Sequence, residues 1–193
     1  YRGTLSRNAV TIAEVLKESG YATSMVGKWH IAETPLRKDQ REWLAHHVYH
    51  ETYSDLCHYP VNRGFDTHYG TIYGVVDYFD PFSLVEGEVP VKEVPDGYYI
   101  TQALSDRAVK EVKEYAKDDK PFFMYLAYTA PHWPLHALPE DIGKYKDTYK
   151  VGWEAIRNAR YERQKQLGIF PGMDNFLSER QFHDKWEDNP HAE

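Results

Sequence analysis

Apolar positions recur at helical spacing in only a few stretches of this chain, and each stretch has a recognisable end. Thr11 to Glu14 reads "TIAE", a capping box, and Ile12, Val15 and Leu16 follow on one helical face. Gly20 is placed to end that helix in a left-handed conformation, so the pattern predicts a helix over about 11–19. "YATSMVG" then predicts a short strand that delivers Lys28 and His30 from "GKWH". On an extended backbone residues i and i+2 face the same side, and an ammonium beside an imidazole suits an anion.

Residues 34–62 show no sustained period and carry His46, His47, His50 and His58. His46 and His50 stand one helical turn apart, but HExxH is absent and the cluster reads as a solvated histidine-rich surface, so no metal residue is assigned. "NRGFDTHYGTIYGVVDYFDP" predicts turns around a strand near 71–79, and "SLVEGEVPV" a hairpin with Glu86 and Gly87 at its tip. The clearest helix spans about 100–117, with Ala103, Leu104, Ala108, Val112 and Tyr115 on the apolar face and Lys110, Glu111, Lys113 and Glu114 on the wet one.

"KPFFMYLAYTAPH" is apolar without alternation, which predicts a central strand buried on both faces. Beyond 139 a surface helix is expected over about 151–167, followed by a polar tail. Helix and strand in this order give an α/β fold, a partial central sheet flanked by helices. In such sheets ligands bind beyond the carboxyl ends of the strands, where "GKWH" and "PHWPLH" both fall.

Composition narrows the function classes. The 193 residues are 41% apolar and 27% charged, ordinary for a globular domain, and the net charge of −7 with scattered basic residues gives no footprint for nucleic acid. A lone Cys57 rules out an intrachain disulfide. No apolar run reaches the length of a membrane span, and "YRGTLSRNAV" lacks the features of a signal peptide, so the chain is expected to begin within a longer protein.

"TIAEVLKESGYATSMVGKWHIA", "RGFDTHYG" and "PFFMYLAYTAPHWPLHALPE" together resemble the sulfatases, the arylsulfatase-type sulfuric ester hydrolases of the alkaline-phosphatase-like superfamily. The resemblance runs in order from about residue 2 to about residue 170, which implies a partial catalytic domain over 1–170 and a truncated continuation over 171–193. It implies that Lys28 binds the sulfate group and the hydrated aldehyde of a formylglycine nucleophile. His30 would contact and activate that geminal diol, and His132 would touch a sulfate oxygen and protonate the leaving group. His136, four residues on, is a candidate substrate-side contact, weighed against a plain loop residue. Arg63 and Asp66 are expected to build a turn, and Trp29 and Trp133 to stiffen two loops.

Two family features are missing. No Cys/Ser-x-Pro/Ala-x-Arg motif occurs, and Cys57 in "CHYPV" has its proline one place late and no arginine, so the formylglycine is expected upstream. The family's calcium is implied as a cofactor, but no paired acidic ligands are identifiable; "MDNF" at Asp174 and Asn175 follows a Gly-Met turn rather than a buried strand. The expectation is an internal fragment of a sulfatase, inactive alone, acting on a sulfated small molecule or glycan, in a periplasmic, secreted or lysosomal setting. Exposed strand edges in such a piece are expected to drive self-association. The alternatives are a phosphonate or phosphodiester hydrolase of the same superfamily and a non-catalytic anion-binding module.

Overall fold

The computed structural model describes residues 3–34, 49–172, 177–178 and 185–189. The expectations about His46, His47, Asp174 and Asn175 lie outside these residues. The chain forms two compact units, 1–136 and 137–193, so the division falls within the span 1–170 expected as one domain.

The first unit opens with helix α1 (Ile12–Glu18), where the Thr11 hydroxyl accepts from the Glu14 amide and the Glu14 carboxylate accepts from the Thr11 amide. Such a cap contributes about 1 kcal/mol. Gly20 ends the segment at φ 90°, and strand β1 (Ala22–Gly27) follows with five of its six residues buried. β2 (Thr67–Thr71), β3 (Leu84–Glu86) and β4 (Val89–Pro90) come next, then α2 (Ile100–Tyr115) and β5 (Phe122–Ala127). The sheet order is β4-β3-β2-β1-β5, with β1 parallel to both β2 and β5 and the β2-β3-β4 edge antiparallel. Met25, Val26, Tyr59, Ile72, Phe82, Ile100 and Leu104 are among the residues that fill the core.

Four expectations need correction. The strand placed near 71–79 is at Thr67–Thr71. Beyond it the backbone turns away, because the Thr71 and Ile72 carbonyls accept from the amides of Trp29 and His30 and the Ser83 hydroxyl accepts from Tyr73. The hairpin pairs Glu86 with Val89, so its tip is Gly87 and Glu88, one residue later than expected.

β5 is not central among the described residues but lies at the sheet edge, with Phe122, Tyr125 and Leu126 each more than a third exposed. Its unalternating pattern asks for pairing on both edges and cover on both faces, whereas among the described residues β5 pairs along one edge only, with β1, and none of its residues is fully buried. Glu111, expected on the wet face of α2, is buried: it accepts from Ser24 of β1 and pairs with Arg107, which also reaches Glu86. A carboxylate at that position is tolerated because its charge is neutralised and hydrogen-bonded.

His68 sits in the middle of the sheet, 1% exposed, with Nε2 at 3.2 Å from the Gly27 carbonyl. Burial pulls its pKa from 6.5 down to about 4, the Gly27 contact only partly opposing that fall. The folded pKa is depressed, so the associated stability is fully present above about pH 6.5 and is lost as pH falls toward about 4. At 1.36 kcal/mol per unit the loss is about 3 kcal/mol. Urea titrations of wild type and His68→Asn across that window are expected to converge at low pH; a constant difference would show that His68 is charged in the fold.

The second unit carries α3 (Pro139–Tyr145) and α4 (Trp153–Gln166). α4 matches the expected surface helix. α3 was not anticipated, although Pro139 in its first turn, followed by Glu140 and Asp141, is a helix-start signal.

Candidate active site

Two parallel strands end side by side, and the site is built on their carboxyl ends. β1 and β5 run in register from Ala22–Phe122 to Gly27–Ala127, and the Lys28 amide continues the ladder by donating to the Ala127 carbonyl at 2.8 Å. Lys28 is half-buried and forms no ion pair with any carboxylate among the described residues. Burial pushes its ammonium pKa below the usual lysine value. A desolvated cation lacking a counter-ion is a standing demand for an anion.

Trp29 turns the other way. It is buried, its indole N–H donates to the His58 carbonyl at 2.8 Å, and its ring meets Phe65 edge-on, which is the stiffening role expected of it. Trp133 is 57% exposed, with its ring 5.7 Å from that of His132.

His30 adopts φ 59°, a left-handed conformation that a non-glycine residue enters only at a cost. Its amide is anchored on the Ile72 carbonyl, its ring lies edge-on to Tyr73, and a Cβ at position 74 would come within 2.1 Å of Nδ1. Gly74 therefore provides the space for the imidazole. Burial lowers the His30 pKa, and the charges of Lys28 and His132 lower it further, so the ring is neutral at pH 7. Lys28 and His30 follow β1 and His132 follows β5, so all three residues singled out from sequence lie beyond the carboxyl ends of two paired parallel strands.

His132 lies on the loop after β5. Its Nδ1 is 2.6 Å from the Trp133 carbonyl, which can only accept, so Nδ1 carries a proton and Nε2 is the atom left for chemistry. Tyr78, 1% exposed, donates its hydroxyl to the His132 carbonyl at 2.6 Å. Sequence reasoning missed Tyr78, which it read only as part of the strand expected near 71–79.

His136 is held apart from solvent on one side. Its Nδ1 accepts from the Tyr78 amide at 3.3 Å and stands 3.7 Å from the Asp77 carboxylate, with the Tyr78 and Phe79 rings packed against it. Those contacts fit a loop anchor. Thr129, also unanticipated, is 4% exposed with no partner for its hydroxyl among the described residues.

Arg63 and Asp66 are structural. Arg63 is buried and donates to Glu14 and to the carbonyls of Leu5, Ser6 and Ala9, while Asp66 accepts from Thr23 and pairs with Lys17. Burial alone would raise the Asp66 pKa, but Lys17 and the Thr23 hydrogen bonds hold it below the ordinary aspartate value.

Among the described residues one group has metal-ligand spacing: Asp55, Cys57 and His58, with ligand atoms within 4.8 Å of one another. Calcium takes six to eight oxygens, and a thiol with an imidazole does not fit it. The Asp55 carboxylate also accepts from Cys57, which raises the thiol pKa and keeps it protonated. Cys57 is thus neither an activated nucleophile nor part of a calcium site.

A sequence model of the family described as Sulfatase matches residues 2–184. The arylsulfatase of Klebsiella aerogenes is 29% identical over 189 residues, covering 97% of this chain and 38% of that protein. The uncharacterized sulfatase YdeN of Escherichia coli K12 is 35% identical over 150 residues, covering 76% of this chain and 26% of that protein. The crystal structure of Ps i-CgsB in complex with k-i-k-neocarrahexaose aligns with a TM-score of 0.53 at 29% identity, over 75% of this chain and 33% of that one. The chain spans 26% to 38% of the length of these two curated relatives.

Proposed function

This chain belongs to the sulfatase family, and we propose that it supplies the Lys28–His30–His132 half of a pocket that hydrolyses sulfate esters. The observation that carries the reading is the half-buried Lys28 ammonium, without a carboxylate partner among the described residues, at the joint ends of β1 and β5. Sulfuryl transfer spreads negative charge over the equatorial oxygens and onto the leaving oxygen. The ammonium of Lys28 neutralises the former, and His132, acting as the imidazolium with a proton on each ring nitrogen, gives its Nε2 proton to the latter. His30, neutral at pH 7, accepts the proton of the attacking hydroxyl. His136, anchored in its loop through Nδ1, is left with Nε2 as a substrate-side contact.

The nucleophile, a formylglycine, comes from outside these 193 residues, since the chain has no Cys/Ser-x-Pro/Ala-x-Arg motif, and the calcium ligands come from outside the described residues, whose one group with metal-ligand spacing does not suit calcium. The substrate is a sulfated small molecule or glycan, and the similar Ps i-CgsB holds k-i-k-neocarrahexaose in its crystal structure. The compartment is periplasmic, secreted or lysosomal.

The test is turnover of p-nitrophenyl sulfate by the complete native protein with calcium present, with p-nitrophenyl phosphate in parallel. Sulfate turnover at least tenfold above phosphate turnover is expected. The acid limb of kcat/KM should fall below the ordinary histidine range, because activity is lost only as pH drops through the depressed pKa of His30. Preferential phosphate turnover would reassign the pocket to a phosphoester hydrolase.

A further inference from the structure

Next to the candidate pocket the chain forms a cleft of about 640 Å³, lined by Phe79, Asp80, Lys92, Glu93, Asp96 and Tyr98 among others. Its wall is continuous with the loop that carries His132. Tyr78 ties the two together, its hydroxyl on the His132 carbonyl and its amide on His136, and Phe79 follows it directly. The Phe79 ring lies 5.5 Å from the His136 imidazole and 5.4 Å from Tyr99, and Phe79 still leaves 40% of its surface exposed.

An aromatic ring fixed from behind and flanked by carboxylates is the chemistry that recognises a sugar. The ring accepts the apolar C–H face of a pyranose, and carboxylate oxygens accept from its hydroxyls. Charge selects further. Among the described lining residues Glu93 and Asp96 outnumber Lys92, whose ammonium is also drawn over the Tyr49 ring at 5.1 Å. A sulfate entering this cleft would meet an excess of like charge, whereas a neutral ring would not.

We infer that the cleft is a specificity subsite for an unsulfated sugar ring adjoining the sulfated ring held by Lys28 and His132. The inference rests on the sulfatase reading of the neighbouring pocket. It makes the enzyme selective for glycans whose sulfate stands beside an unmodified residue.

The complete native protein is assayed with p-nitrophenyl sulfate and with gluco- and galacto-configured disaccharides sulfated on one ring or on both. With the best disaccharide, kcat/KM is expected to be at least tenfold higher for the monosulfated form, and Glu93→Gln with Asp96→Asn to narrow that ratio to within threefold. Equal kcat/KM for both forms, or an unchanged ratio in the double variant, overturns the subsite. Failure on p-nitrophenyl sulfate and every disaccharide would strike the sulfatase reading instead. Calorimetry with the unsulfated disaccharides then decides the cleft separately: binding weakened tenfold by Phe79→Ala upholds a sugar site, and no heat with any wild-type titration overturns it.

Discussion

Lys28→Ala in the complete native protein is expected to lower kcat/KM for aryl sulfates by about 10²- to 10³-fold, the cost of removing one preorganised charge from a developing anion. The loss should be the same for aryl and alkyl sulfates, because the ammonium acts on the sulfuryl oxygens common to both. His132→Ala should behave differently. A general acid contributes roughly 10²- to 10⁴-fold, but only where the leaving oxygen needs a proton, so its loss falls hard on alkyl sulfates and lightly on p-nitrophenyl sulfate. Comparing the two substrates in the two variants separates the roles.

Lys28→Arg is not expected to restore the rate, since a planar guanidinium cannot place its charge where a compact ammonium sat. The melting temperature of Lys28→Ala should match or exceed wild type, because a half-buried cation with no carboxylate partner among the described residues is removed. Lys28→Ala retaining activity within threefold of wild type would refute the proposed role.

Gly27→Ala is expected to be strongly destabilising. Gly27 has φ 123°, and a Cβ there would stand 1.9 Å from the Ala127 carbonyl oxygen. Both strands at that point are backbone held in a ladder, so neither yields without breaking hydrogen bonds. Strain and overpacking together should cost about 4 kcal/mol or more, roughly 10 °C in melting temperature. Gly87→Ala is the control: its φ is 62°, but nothing lies within 4 Å of the added methyl. Its cost should be only about 1–2 kcal/mol, the left-handed penalty alone. Equal melting temperatures for the two variants would mean that the close approach at Gly27 relaxes freely.

Much of this was legible in the chain itself, and the physical reason is locality. The α1 capping box, the stop at Gly20 and the strand over "ATSMVG" depend on residues within one turn of each other, and they appear as expected. The wording around Lys28, His30 and His132 likewise identified the family. The order of elements implied an α/β sheet with those residues at its carboxyl edge.

What only the tertiary structure decided depends on residues far apart in sequence. The apolar run of β5 reads as central, but its place is set by which strands pair with it, and among the described residues only β1 does. Glu111 reads as solvated because its neighbours in sequence are charged; it is buried because Ser24, 87 positions away, and Arg107 satisfy it. The strand expected near 71–79 stops at Thr71 because the next carbonyls are claimed by the loop carrying His30. Tyr78 reaches the site through hydrogen bonds that span 54 and 58 positions. A local pattern states what each segment can form; long-range hydrogen bonds and charge pairing decide which of those possibilities is free.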